Sequence, residues 1–469
     1  MSNAFARLKE HPRGFWFVFW GELAERASFY GMRTILALYL VDVLLYKENK
    51  GAVIGQFFTA ACYIAPLLGG YLADRWLGRY RTILYFSIPY IAGHLLLGGI
   101  EERWAMFVAL GLLAMGSGTI KPNTSTLMGQ MYEEQKKSAL LTEAFSYFYA
   151  AINIGAALSS LSLPLVRNYF AGPEHNWHRG YAVALAIPAG LMALAFVFFA
   201  IGKRFYPKEE QAPLSVSLAE RRRRPPKSAE QKHAEWQTLS RIAGIFGLIA
   251  IFWLVYDQQT TTWIYFAKQH LDMHLWGTFA VTPDQIQGLN PVLIVVLTPF
   301  FNWLWGFWRR QRGGVELPDT RKMLLGFGIV IACMATMGVA AHLSATGHVV
   351  SIWWMAVATL VITLSELCIS VVGLEFAYSQ ALPGTKSIVT AAFLFTVFIG
   401  DSLGGFLDTL YDKQLPPTAY FFVQTGIMVA AAIAFVFVAR KFERDASARS
   451  SEAALAANGS DESINPYAP

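Results

Sequence analysis

The sequence predicts an all-α membrane protein of twelve transmembrane helices arranged as two six-helix halves. Three observations carry that class. Charged residues make up only 15% of 469 positions, where soluble domains hold ~25%. Hydrophobic residues reach 55%, and mean hydropathy is +0.38. The apolar residues gather into twelve stretches, which a polar segment divides six and six. This composition excludes a disordered chain and argues against a soluble enzyme. The net charge of +6 invites a nucleic-acid reading. Basic residues collected in cytoplasmic loops account for it better, so no nucleic-acid partner is expected. The three cysteines, Cys62, Cys333 and Cys368, all lie in apolar stretches, so no disulfide scaffold is expected.

A helix needs ~20 mostly apolar residues to cross a bilayer. In order, the predicted spans are 14–43, 51–76, 80–99, 103–128, 138–166 and 179–204, then 238–268, 284–310, 320–343, 348–378, 386–408 and 416–441. The first is too long for a signal peptide and carries charge in its middle. The next two are parted by an Arg-rich turn at 75–81, and Arg103 opens the fourth. Lys136 and Lys137 precede the fifth; Arg167 and Arg179 mark the loop before the sixth. The seventh follows the polar segment, and Lys268 marks its far end. A basic run from Arg309 to Lys322 separates the eighth from the ninth, and Lys386 opens the eleventh. With the N-terminus inside, cytoplasmic segments hold 28 basic residues and external loops seven. That asymmetry places both termini in the cytoplasm. The expected organisation is an N-terminal half at 1–204, a cytoplasmic linker at 205–237, a C-terminal half at 238–441 and a disordered tail at 442–469. The linker, with Arg221 to Arg224 and Pro225-Pro226, reads as a solvated tether or surface helix. Six plus six suggests pseudo-equivalent halves around a central cavity.

Several charges fall inside these spans, where each costs ~2.5–3.5 kcal/mol on insertion scales. On the first span, Glu22, Glu25, Arg26, Phe29, Tyr30 and Arg33 fall within a ~140° arc, so one face must look into a cavity. Lys121, Asp257 and Glu366 are the other candidates. Arg33 and Asp257 sit at equal depth in the first and seventh spans, about 28 Å from the cytoplasmic side. Lys121 and Glu366 match likewise in the fourth and tenth spans, toward the cytoplasm. The two halves thus offer one pair of opposite charge at each end of a central cavity, as alternating access requires. Against Arg26, Arg33 and Lys121 stand Glu22, Glu25, Asp257 and Glu366, which leaves one carboxylate free to carry a proton. Asp401, Glu143 and Glu375 lie near enough to the membrane to alter that count. Pro122 and Asn290-Pro291 signal broken helices, whose freed carbonyls need a partner. Asn153 is a lone amide in the fifth span. Tyr30, Tyr63, Trp253 and Tyr256 suit either a pocket wall or packing.

The run from Gly69 to Arg81, GGYLADRWLGRYR, resembles the loop signature of the major facilitator superfamily. More specific motifs follow. Glu22-Leu-Ala-Glu25-Arg26 resembles the ExxER motif of proton-dependent oligopeptide transporters. Lys121-Pro122-Asn123, Ile152-Asn153-Ile154-Gly155, Phe252-Trp253 with Asp257-Gln258-Gln259, and Gly373 through Gln380 resemble the same family, in order, over roughly residues 14–400. The resemblance implies a major facilitator fold and proton-coupled import of di- and tripeptides. It implies that Arg33 and Lys121 hold the peptide carboxylate and Glu366 the amine. Tyr30, Tyr63, Asn153 and Asn290 would contact the backbone, and Trp253 would wall a side-chain pocket. Glu22, Glu25, Arg26 and Asp257 would couple protons. Arg33–Asp257 and Lys121–Glu366 would be the outer and inner gates.

The chain departs from the family in places. Ala27-Ser28-Phe29-Tyr30 replaces the usual Phe-x-Tyr-Tyr, Asp257 stands where many bacterial members have Glu, and the linker cannot supply two extra spans. Residues 51–76 hold no His, so coupling rests on carboxylates. An enzyme is disfavoured, because no HExxH occurs and His270 with His274 lacks a carboxylate array. A non-transporting peptide receptor and a transporter of a small anion such as nitrate are the alternatives. Glu366 argues against the anion, which needs no amine-binding acid. The expected setting is a monomer, multi-pass in the plasma (inner) membrane, with peptides, protons and lipid as partners and no metal or cofactor.

Overall fold

The computed structural model describes residues 8–211, 228–381 and 386–461. The N-terminal half consists of α1 Arg13–Asp42, α2 Glu48–Leu72, α3 Arg79–Gly99, α4 Arg103–Glu134, α5 Leu141–Ala171 and α6 Trp177–Gly202. The C-terminal half consists of α7 Ala229–Tyr256, α8 Leu289–Gln311, α9 Asp319–Ala345, α10 Trp353–Glu366, α11 Lys386–Asp408 and α12 Pro417–Asp461. Eleven of these, all but α1, contain a window long and apolar enough to cross a membrane on composition alone. Every comparable window of α1 contains at least three of the charges Arg13, Glu22, Glu25, Arg26, Arg33 and Asp42. α1 is instead sheltered by protein: it packs on α5 and α6, and Glu22, Glu25 and Arg26 are all buried.

Across the halves α2 packs on α11, and α5 on α8. Exchanging the halves maps the first contact onto the second, as pseudo-two-fold symmetry demands. The outward surface stays apolar, with Leu158, Val296 and Phe437 more than half exposed. On a soluble chain such a surface would aggregate; here it faces lipid. An even number of crossings puts both chain ends on one face, called here the near face.

Local chemistry sets the boundaries. Ser228 and Gln231 form a reciprocal capping box that starts α7, so residues 229–237 of the expected linker are the first turns of that helix. The linker's beginning is also held: Tyr206 is buried against Tyr80, and Glu210 accepts the Tyr80 backbone N–H at 3.1 Å. Arg221 to Arg224 and Pro225-Pro226 lie outside the described residues. Gly78, at φ 82°, makes the turn between the Ala73–Leu77 π-turn and α3, in the left-handed region a Cβ disfavours.

Three sequence expectations need correction. Pro122 lies inside α4, which continues unbroken to Glu134. Pro291 lies in the first turn of α8, where its missing N–H costs nothing. The helices break elsewhere. α7 ends at Tyr256, passes through a 3₁₀ turn at Asp257–Thr260 and resumes at Thr262–His270. α10 ends at Glu366 and runs through a π-turn, Leu367–Val371, into Val372–Gln380. The tail, read as disordered, is helical to Asp461. Its Ala-rich composition extends a helix already nucleated by α12. Residues 462–469 lie outside the description. Two-residue strand pairs also cap the far face: Leu271–Asp272 with Val350–Ser351, and His274–Leu275 with Phe279–Ala280.

Candidate functional site: a charged central cavity

A cavity of about 260 Å³ lies between the halves, just below the ~300–1,000 Å³ of ligand pockets generally. All eight residues expected to contact substrate line it: Tyr30, Arg33, Tyr63, Lys121, Asn153, Trp253, Asn290 and Glu366. Arg26 and Asp257 line it too. Glu22 and Glu25 do not; they sit behind Arg26, whose Nε lies 2.7 Å from the first and 2.8 Å from the second. The ExxER spacing produces this directly. Residues three and four apart share a helix face, so one guanidinium reaches a carboxylate one turn back and another beside it.

Arg33 reaches across from α1 to Asp257, with its Nη2 2.5 Å from Oδ1. The depth arithmetic therefore holds at the far face. It does not yield a pair at the other end. Glu366 accepts from the Tyr256 hydroxyl at 2.6 Å and from Asn290 Nδ2 at 2.9 Å. The Lys121 ammonium stands 4.7 Å from the centroid of the Tyr63 ring, a cation–π contact. Among the described residues neither Lys121 nor Glu366 has an ion partner. The cavity thus presents an unpaired cation from the N-terminal half and an unpaired carboxylate from the C-terminal half. Asn153 lines the cavity and donates to the Tyr149 carbonyl at 2.9 Å. The Trp253 indole N–H is buried with no acceptor among the described residues.

Both charges stand at helix breaks: Asp257 opens the 3₁₀ turn, and Glu366 immediately precedes the π-turn. Such interruptions recur at functional sites.

Sequence reasoning missed part of this site. Arg167 reads as a loop charge, yet it is 2% exposed and ion-paired with fully buried Asp284 across the halves. Lys268 pairs with Asp42, and the Tyr265 hydroxyl donates to the Ala37 carbonyl at 2.9 Å. Gln287 donates to the Thr34 carbonyl at 3.0 Å. With Arg33–Asp257, these bonds lock the far face. Tyr149 and Ser160 also line the cavity. Positions 149, 153, 156 and 160 repeat at helical spacing along α5, and that stripe was the signal available. Gln287 left none. His270 stacks on Phe266, His274 meets Asp272, and no metal-holding cluster occurs among the described residues. Glu375 is exposed, and Glu143 sits near His11 at 3.8 Å.

Arg167→Leu should strip Asp284 of its partner, a change worth about 3–5 kcal/mol when the survivor stays buried. The expected result is a far face that opens. A cysteine at Tyr30 then reacts with a membrane-impermeant thiol reagent applied from that side; an unchanged reaction rate refutes the latch.

The model of the POT family matches residues 80–218 and 215–422. The chain belongs to the POT family. It is 32% identical to mouse "Solute carrier family 15 member 2" over 69% of this chain and 48% of that protein. It is 33% identical to "Peptide transporter family 1" of Drosophila melanogaster over 63% of this chain and 43% of that one. The chain therefore spans about half the length of the curated relatives it matches. A solved structure, that of the POT family transporter PepTSo, superimposes with a TM-score of 0.79 at 28% identity, covering 92% of this chain and 99% of that one. A peptide transporter POT in complex with alafosfalin superimposes at 0.76 with 25% identity, covering 92% and 96%. The fold of this POT-family chain is accordingly the major facilitator fold, in a multi-pass membrane protein.

Proposed function

We propose that this POT-family chain is a proton-coupled symporter that imports di- and tripeptides by alternating access. The unpaired Lys121 and the unpaired Glu366 facing one cavity carry that reading, since a zwitterion with free termini satisfies both charges at once. On this reading Arg33 and Lys121 hold the peptide carboxylate and Glu366 its amine. Tyr30, Tyr63, Asn153 and Asn290 contact its backbone, and Trp253 walls its side chains. Glu22, Glu25, Arg26 and Asp257 couple protons. Arg33–Asp257 is the outer gate and Lys121–Glu366 the inner one. The peptide leaves chemically unchanged, so no enzymatic step is involved.

The excess of Lys and Arg on the near face supports cytoplasmic termini in a plasma (inner) membrane. The far face is then outside, and the formed outer gate with the unformed inner one fits an inward-facing state. The names of the relatives support peptides as cargo.

Uptake of a labelled dipeptide into proteoliposomes should follow an inside-alkaline gradient, and a protonophore should abolish it. Full uptake on a sodium gradient alone would sink the reading. Glu22→Gln and Glu25→Gln should cut proton-driven uptake more than peptide counterflow.

A further inference from the structure

The outer gate holds a carboxylate that the reading above does not use. Asp401, on α11, is 0% exposed, and neither carboxyl oxygen has a hydrogen-bond donor among the described residues. Its position is enforced by close packing. A Cβ on Gly400 would meet the Ala250 carbonyl at 2.5 Å, and one on Gly404 the Leu254 carbonyl at 3.1 Å. α11 therefore lies directly on the last turns of α7, and Asp401 faces Asp257 carboxyl to carboxyl. The other ionisable groups around it are Arg33 from α1, Cys62 and Tyr63 from α2, and Asp408 further along α11. Asp408 is itself held by the Tyr420 hydroxyl at 2.6 Å.

We infer that Asp401 and Asp257 together bind one proton beneath the outer gate, and that this proton allows the gate to close. The charge balance requires it. Arg33 brings one positive charge to two carboxylates. With both ionised, closure would bury a net negative charge with no counter-ion. With one proton on the pair the cluster is neutral, and the Asp401 O–H donates to Asp257. That O–H supplies the donor the pair lacks, while Asp257 keeps Arg33. The proton comes from outer water while the gate is open. It leaves through Asp257, which lines the cavity, once that cavity faces inward. Sequence counting found one surplus carboxylate; Asp401 makes a second.

This inference rests on proton-driven peptide import, and the test separates the two. Asp401→Asn keeps the shape and a donor toward Asp257 but removes the titration. In proteoliposomes held at a constant inside-alkaline pH difference, the wild type should lose uptake as both pH values are raised together. Asp401→Asn should lose far less across that range and move one fewer proton per peptide. A structural role would instead lower uptake equally at every pH. Wild type with no proton-driven uptake defeats the functional reading; wild type and variant with the same pH profile and proton count overturn the inference alone. Infrared difference spectra of purified wild type add a reading that needs no variant. A pH step should remove a protonated-carboxyl C=O band that shifts with isotope-labelled aspartate, and absence of that band also overturns the inference.

Discussion

Glu366→Gln lowers affinity for a free-amino dipeptide about a hundredfold or more and leaves affinity for the N-acetylated dipeptide nearly unchanged. Glu366 stands where α10 becomes a π-turn, with Tyr256 and Asn290 already donating to its Oε2. A glutamine carbonyl still accepts both bonds, so the framework persists. What disappears is the negative charge offered to the substrate amine. Leaving a buried charge without its partner costs about 3–5 kcal/mol, and ~1.4 kcal/mol is tenfold in affinity. Competition for labelled dipeptide uptake or counterflow by free and N-acetylated dipeptides is the measurement. Equal losses for both would make Glu366 a structural residue. The exchange Lys121→Glu/Glu366→Lys extends the argument. It restores a pair of opposite sign, yet it should bind dipeptide poorly, because the peptide would have to invert against a wall set by Trp253 and Asn290.

Arg26→Ala removes more than a proton-coupling partner. Glu22 is 1% exposed and Glu25 0%, and Arg26 is the cation that meets both. Without it two carboxylates stay buried unpaired, again at about 3–5 kcal/mol for a broken buried pair. The expected result is a lowered thermal midpoint in detergent and loss of proton-driven uptake. Adding Glu22→Gln and Glu25→Gln in the same chain should recover much of the midpoint but none of the proton coupling. If the triple variant is no more stable than Arg26→Ala, packing around the guanidinium decides stability rather than its charge.

The twelve helices, their division and the location of the buried charges follow from local rules. Lipid excludes unpaired backbone and side-chain charge, so apolar runs of membrane length and the few charges inside them are readable along the chain. Equal depth in equivalent spans was enough to match Arg33 with Asp257, because a helix converts residue count into height. The same arithmetic matched Lys121 with Glu366, but height says nothing about whether two halves are rocked together or apart. The tertiary arrangement decides that: Glu366 turns to Tyr256 and Asn290, and Lys121 to Tyr63. Proline marked the wrong breaks. α4 passes Pro122 unbroken, whereas α7 and α10 break at Asp257 and Glu366, neither of them beside a proline. Arg167 reads as a loop charge and Asp284 as the first residue of an apolar span; only packing of α5 on the 3₁₀ turn Pro283–Gly288 ahead of α8 buries them together. Asp401 shows the limit most clearly. Its depth in the eleventh span is a matter of counting, but its partner is chosen by Gly400 and Gly404, which bring two helix backbones close enough to set one carboxyl against another.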